Sequence, residues 1–337
     1  VPKKVEEDFM EKRLFALLVT MIMIVSLVGC GSKDGTSDAA KEDASQTNEA
    51  QEDSDIFIGL SLGNTTEPFF QKMEDGVQEA AAKAGVRTQT SSCEGDVAKQ
   101  VNQVEDFITN QTDAVILTPI DGTGVVPAVE ACNQAGVLVV TADINAEGGD
   151  ITSFVAANNA QGGELAAEHL AKAIGGKGQI VILDDEKISS VYNRSDAFVA
   201  YLEENYPDVE IVKRAMVGYT RDVCMKEIED DIQTYPDLKG VFAAQGSEAG
   251  LGAAKAIEAA GKADEIKVVN FDAEPESVQK IIDKGCIIGD VFLDPYEIGS
   301  NAMKNAIAAV KGESFEKEMM TSVQLVVESN AAEFIED

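Results

Sequence analysis

From Ile56 onward, short β-branched apolar runs alternate with longer amphipathic stretches, and this alternation leaves the chain few folds to choose from. The runs at 56–62, 114–118, 137–141, 179–183, 240–244, 266–271 and 287–292 read as strands. Several are apolar on both faces, which suits parallel strands covered by helices on either side. Between them lie helical patterns: over 69–84, Phe70, Met73, Val77, Ala80, Ala81 and Ala84 recur at three- and four-residue steps. Gly85 then stops that helix, as Gly136 and Gly261 stop later ones. Strand, helix and strand repeated in this way predict doubly wound α/β layers with right-handed crossovers. Ligands of such sheets bind beyond the carboxyl ends of the strands. The loops to search are therefore 63–70, 119–122, 142–145, 184–194, 245–248, 272–274 and 293–296, which are rich in Asp, Asn, Glu and aromatic residues and poor in Lys.

Ahead of this body the composition is different. An almost unbroken apolar run covers 14–28, preceded by Lys12 and Arg13 and followed by Gly29 and Cys30. It is short for a membrane span of roughly 20 residues and fits the apolar core of a secretory signal. Leu27-Val28-Gly29-Cys30 resembles a bacterial lipobox, whose Cys is acylated and becomes the mature N-terminus. On this reading 1–29 is a signal peptide with its true start at Met10, and Cys30 carries lipid. Residues 30–55 hold no aromatic or large aliphatic side chain, so they cannot bury enough apolar surface to offset ordering and are expected to be a flexible acidic linker. Acyl chains on Cys30 would hold the body at the outer face of a membrane, which favours a Gram-positive host, or the periplasm if the host is Gram-negative.

Charge excludes several functions. The 337 residues carry 27 Lys+Arg against 60 Asp+Glu, a formal charge of −33. A nucleic-acid partner needs basic residues to neutralise phosphates, and a polybasic membrane surface needs them for anionic lipid. One His in the chain makes His-based metal sites and relays poor candidates, so neither a metal nor a cofactor is expected. That residue, His169, falls in the helical pattern 164–174, away from any strand end, and reads as structural. Cys93, Cys132, Cys224 and Cys286 show no Cys-x-x-Cys spacing and are expected as buried thiols.

A family resemblance rests on a series of short motifs. They are Pro68-Phe69-Phe70 with Glu74-Asp75-Gly76, Asp113 to Pro119, Thr141-Ala142-Asp143, and Asn158-Asn159 with Gly162-Gly163. The second half adds Arg194-Ser195-Asp196-Ala197-Phe198, Gly250 to Ala254, Asn270-Phe271-Asp272 and Asp294 to Gly299. In their order and spacing the chain resembles a type I periplasmic sugar-binding protein of the ribose/galactose-binding group that serves ABC transporters. The resemblance implies two doubly wound parallel-sheet lobes joined by three hinge crossings, closing on a ligand. It allots 56–157 and 294–320 to the first lobe, and 158–293 and 321–337, with a C-terminal strand near 323–327, to the second.

It also implies a ligand set: Phe69 and Phe70 stacking on a sugar-like ring, Asp143 and Asp272 accepting from hydroxyls, and Arg194 donating a fork of bonds. Glu67, Gln245 and Leu293 stand at further contact positions, but depart from the ribose pattern. That pattern has Asn where Glu67 stands, Gln where Leu293 stands, and Arg where Ile144 follows Asp143. Its Asn-Asp becomes Gln245-Gly246-Ser247-Glu248, leaving open which of these residues takes the contact. Two donors are lost and a carboxylate gained, so the expected ligand has an apolar edge or a cationic group: a substituted sugar, a cyclic polyol or a hydroxylated amine.

The partners implied are that ligand and the subunits of an ABC permease, with a monomeric body and membrane contact through lipid alone. A sensor feeding a histidine kinase or chemoreceptor is the alternative use of the same fold. An enzyme is not expected, since no nucleophile–base pair emerges at the strand ends.

Overall fold

The structure, a computed structural model, describes residues 55–218 and 220–335. The predicted signal peptide, Cys30 and all of the linker but Asp55 lie outside the described residues. In chain order the fold begins with β1 (Phe57–Leu62), α1 (Pro68–Ala84), β2 (Arg87–Ser92), α2 (Val97–Thr109), β3 (Ala114–Leu117), α3 (Val126–Ala135), β4 (Leu138–Ala142) and β5 (Ser153–Ala157). It continues through α4 (Asn159–Ala173), β6 (Gly178–Asp184), α5 (Ser189–Asn205), β7 (Val209–Met216), α6 (Arg221–Thr234), β8 (Leu238–Ala243) and α7 (Ser247–Ala259). Last come β9 (Lys267–Phe271), α8 (Pro275–Ile282), β10 (Ile287–Phe292), α9 (Pro295–Lys311), β11 (Glu318–Thr321) and β12 (Gln324–Val326).

These strands form two six-stranded sheets, ordered β11-β5-β4-β3-β1-β2 and β12-β10-β9-β8-β6-β7. The first is parallel throughout. The second is parallel except at its edge, where β12 runs antiparallel to β10 with Val326 opposite Asp290. Two doubly wound parallel-sheet lobes were expected, and two are found, the second with one antiparallel strand at its edge. The cause lies in the crossings. The chain passes between sheets after β5, after β10 and after β11. The first two passages lead into helices, α4 and α9, which restore the strand direction before the next parallel strand. The third has no helix, so it enters the second sheet from the carboxyl end and must run against it.

The central strands are nearly all buried, with Ile58, Leu60, Ile116, Val140, Ile180, Ile182, Phe242 and Val269 in one continuous apolar core. Phe198 of α5 stacks on Phe242 with ring centroids 4.1 Å apart, fixing α5 against the second sheet. His169 is half-buried in α4 and reaches the Ile288 carbonyl at 3.0 Å, a packing role. The four described cysteines are buried free thiols.

Candidate functional site

Between the carboxyl ends of the two sheets lies a cavity of about 440 Å³. Glu67, Phe69, Phe70 and Asp143 line it from the first lobe, and Arg194, Gln245 and Asp272 from the second. Seven of the eight residues singled out from sequence thus meet in one wall. Leu293 is not among them: it is completely buried in the core. An apolar side chain at that position gains more from packing than from facing a wet cleft.

Both carboxylates sit on left-handed turns just past a strand. Asp143 has φ 63° and Asp272 φ 85°, a conformation that Asp adopts more readily than most residues. Each backbone N–H first completes a ladder, Asp143 to the Val155 carbonyl at 2.8 Å and Asp272 to that of Val291 at 2.9 Å. The chain then turns and leaves the carboxylate at the cavity. Gly246 makes room for Asp272, since a Cβ there would lie 2.0 Å from Asp272 Oδ2, and its own φ is 106°. Below this loop, buried Asp290 accepts from the Ala273 backbone N–H at 2.9 Å and from Ser277 Oγ at 2.6 Å, holding the turn from behind.

Arg194 is the electrostatic centre. Its Nε donates to Asn159 Oδ1 at 2.8 Å and its Nη1 to the Ala244 carbonyl at 3.0 Å. The guanidinium lies 4.2 Å from the Phe271 ring centroid, and Nη1 is 3.9 Å from Asp272 Oδ1. Burial raises the carboxyl of Asp143 to about 6, against the pull of Arg194 and with a further push from Asp272. Asp272 is also raised by burial, opposed by Arg194 and by the Ser247 backbone N–H that donates to it. Among the described residues, Asp143 Oδ1 is buried with no hydrogen-bond partner, while Oδ2 receives only a long bond from Ser190 Oγ at 3.5 Å. A buried acceptor in that state carries a desolvation penalty of roughly 1–3 kcal/mol until a donor meets it.

The other predicted residues divide by role. Phe69 and Phe70 meet edge to face, with centroids 5.4 Å apart, and both are half-buried. Glu67 precedes α1 and accepts from Asn64 Nδ2 at 3.0 Å. Gln245 reaches the wall, but its amide N–H groups are spent on the Asp184 carbonyl at 3.1 Å and on that of Val217. It therefore fastens the ends of β6 and β7 together. Glu248 is exposed and pairs with Arg221 instead.

Sequence reasoning named the loop 184–194 but, apart from Arg194, none of its members. Asp185, Lys187, Ile188, Ser190 and Val191 all reach the cavity from it, as do Ile120, Asp121 and Ile144 from the first lobe. The same loop bridges the lobes. The Gly122 backbone N–H donates to the Lys187 carbonyl at 3.1 Å, and Lys187 pairs with Asp121 at 3.5 Å. The Asn145 backbone N–H donates to Ser189 Oγ at 2.7 Å, and Tyr192 Oη donates to Glu147 Oε1 at 2.6 Å. The lobes are thus described closed, locked along one side of the cavity. Only the spatial meeting of distant loops marks these residues, and no local motif announces it.

Two lobes hinged by three strands, with charged and aromatic groups facing each other across the cleft, define a solute-binding protein of the periplasmic type. The chain belongs to the family described as periplasmic binding protein domain, whose model matches residues 58–314. The family consists of substrate-binding proteins, not enzymes, and within it the chain is a type I periplasmic sugar-binding protein of the ABC-transporter kind. Among relatives, the ribose import binding protein of Bacillus subtilis is 30% identical over 269 residues, covering 80% of this chain and 86% of its own. A solute-binding protein from Mycobacterium smegmatis, solved with glycerol, is 30% identical with TM-score 0.78, covering 84% of this chain and 97% of its own. Another from Bacillus halodurans, solved with myo-inositol, is 28% identical with TM-score 0.77, covering 84% and 98%.

Proposed function

We propose that this protein is an extracytoplasmic lipoprotein that captures a small polyhydroxylated solute between its lobes and passes it to an ABC permease. The observation that carries this reading is the gathering of Asp143, Arg194 and Asp272 from both lobes around one cavity of about 440 Å³, beside Phe69 and Phe70. Ionised carboxylates accept only, and a guanidinium donates only, so together they suit hydroxyls, which do both. The aromatic pair suits the C–H face of a ring. Relatives solved with glycerol and with myo-inositol, and one named for ribose import, support a polyol or sugar as the solute class.

The departures at Glu67, Ile144 and Leu293 argue against ribose itself, because each replaces a polar contact of the ribose pattern by a carboxylate or an apolar group. Lipid on Cys30 and the linker that follows would keep a monomeric receptor near its permease on the outer face of a Gram-positive cell. Thermal-shift screening of the purified protein against sugars, polyols and hydroxylated amines tests the reading. A ligand at about 100 times its dissociation constant adds about 2.7 kcal/mol to the folded state, an easily seen rise in melting temperature. Silence across the whole panel, or binding that survives removal of Arg194, would count against it. Labelling of cells with a palmitate analogue, lost in Cys30→Ala, tests the anchor.

A further inference from the structure

The charges in the cleft do not balance. Two bases reach its wall, and both are engaged: Lys187 with Asp121 at 3.5 Å, and Arg194 with Asp272 at 3.9 Å. Against them the wall holds Glu67, Asp121, Asp143, Asp185 and Asp272, and Asp143 is the one of these carboxylates that is buried, with no ion pair of its own among the described residues. It is 4% exposed, its Oδ1 has no partner among the described residues, and the groups that face it are Arg194 and Ser190 of α5 and Asp272 beyond β9. The next residue along the wall is Ile144, 5% exposed, and it brings no donor. The innermost trio therefore sums to one negative charge, held where water is scarce. A neutral hydroxyl offers Oδ1 a hydrogen bond but leaves that charge uncompensated, and a buried uncompensated charge is expensive. An ammonium supplies the donor and the opposite charge together.

Resting on the solute-binding role proposed above, we infer that the solute is a protonated amine on a polyhydroxylated frame, such as an amino sugar, an amino cyclitol or an iminosugar, with its ammonium donating to Asp143 Oδ1. Arg194 and Asp272 then meet the hydroxyls. The apolar side of the wall, with Ile120, Ile144 and Ile188 beside the two phenylalanines, covers the C–H face of the ring. The cleft has one other way to neutralise Asp143, which is to take up a proton. A protonated Asp143 has no charge to offer an ammonium, so the preference for amines must fade in acid.

Titration calorimetry on matched pairs tests this: D-glucosamine against D-glucose, D-galactosamine against D-galactose, an amino-deoxy inositol against myo-inositol, and 1-deoxynojirimycin against 1,5-anhydroglucitol. The tightest binder is expected to be an amine, about tenfold or more tighter than its neutral partner near pH 7.5, with that margin shrinking several-fold near pH 5. Asp143→Asn is expected to weaken the amine far more than its neutral partner, which erases the margin between them. Should that variant fail to fold, the pH comparison on the unaltered protein decides alone. Neutral members binding as tightly as their amines, or a margin that acid leaves unmoved, overturns the inference while the solute-binding role stands. If no member of any pair binds, the role itself falls, and the inference with it.

Discussion

Replacing Gly163 by Ala tests whether the position of Arg194 is set by the close crossing of α4 and α5. A Cβ at Gly163 would stand 2.2 Å from the Arg194 carbonyl oxygen and 3.0 Å from its carbonyl carbon, whereas ordinary contact begins at 3.4 Å. Both obstructing atoms are backbone, so no rotamer change relieves the clash, and the helices must part by about 1 Å. An opening of that size forfeits a quarter to a half of the dispersion attraction along the seam. Overpacking of this kind costs about 3 kcal/mol at the upper end of its range. Replacing Gly by Ala in a helix interior returns about 1 kcal/mol. The expected net loss is about 2 kcal/mol, which lowers the melting temperature by roughly 4–8 °C.

The same opening moves Arg194 away from Asn159, the Ala244 carbonyl and the cavity, and weakening one charge-assisted hydrogen bond costs about 1.5 kcal/mol, or roughly tenfold in affinity. Gly299→Ala is the control. Its Cβ would meet the Met73 carbonyl at 2.1 Å, a clash as severe but between α9 and α1, away from Arg194. Thermal melts and titration calorimetry on both variants separate the effects: both lose stability, and Gly163→Ala loses the more affinity, since Gly299→Ala reaches the cavity only through Phe69 and Phe70 of α1. A Gly163→Ala protein that melts at or above the unaltered one would refute the close-crossing argument, because helix propensity would then be the larger effect.

Two further outcomes follow from the same geometry. Burial raises Asp143 to about 6 and Asp290 to about 7, above the ordinary 3.8, so the folded chain holds these protons more tightly than the unfolded chain does. The stability they confer is full below about pH 4 and is lost as pH rises through the folded values, so melting temperature is expected to be several degrees higher near pH 5 than near pH 8. Asp290→Asn should flatten the upper part of that slope, and a melt series across pH with identical slopes for both proteins contradicts the assignment. The bridge between the lobes makes a kinetic prediction: Tyr192→Phe combined with Lys187→Ala removes two contacts made only on closure. At about 0.5–1 kcal/mol each, solute release measured by stopped flow should accelerate roughly five- to thirtyfold while the association rate holds.

How far the molecule could be read from its residues follows from where burial falls. All seven predicted strands exist, because central parallel strands are buried on both faces and write themselves as apolar runs. The strands that escaped notice are β2, β5, β7 and β11. Three are edges: β2 reads Arg-Thr-Gln-Thr-Ser-Ser, β7 is interrupted by Glu210, Lys213 and Arg214, and β11 is only four residues long. An edge needs less apolar surface, so its sequence says less. The fourth, β5, lies inside its sheet but is short, Ser-Phe-Val-Ala-Ala, and its small residues resemble a helix segment as much as a strand. The same logic governs the cavity. Asp143 and Asp272 were legible because they stand directly past apolar runs and match the carboxylates of the sugar-binding family, and both are found at the cavity. Leu293 was placed by analogy with a polar contact, although its own chemistry argued for the core, where it is found. Lys187 and Ser190 could not be read at all. Their meaning comes from Asp121 and Asp143, which the chain reaches only by crossing between sheets, and no local pattern encodes which loops a hinge will bring together.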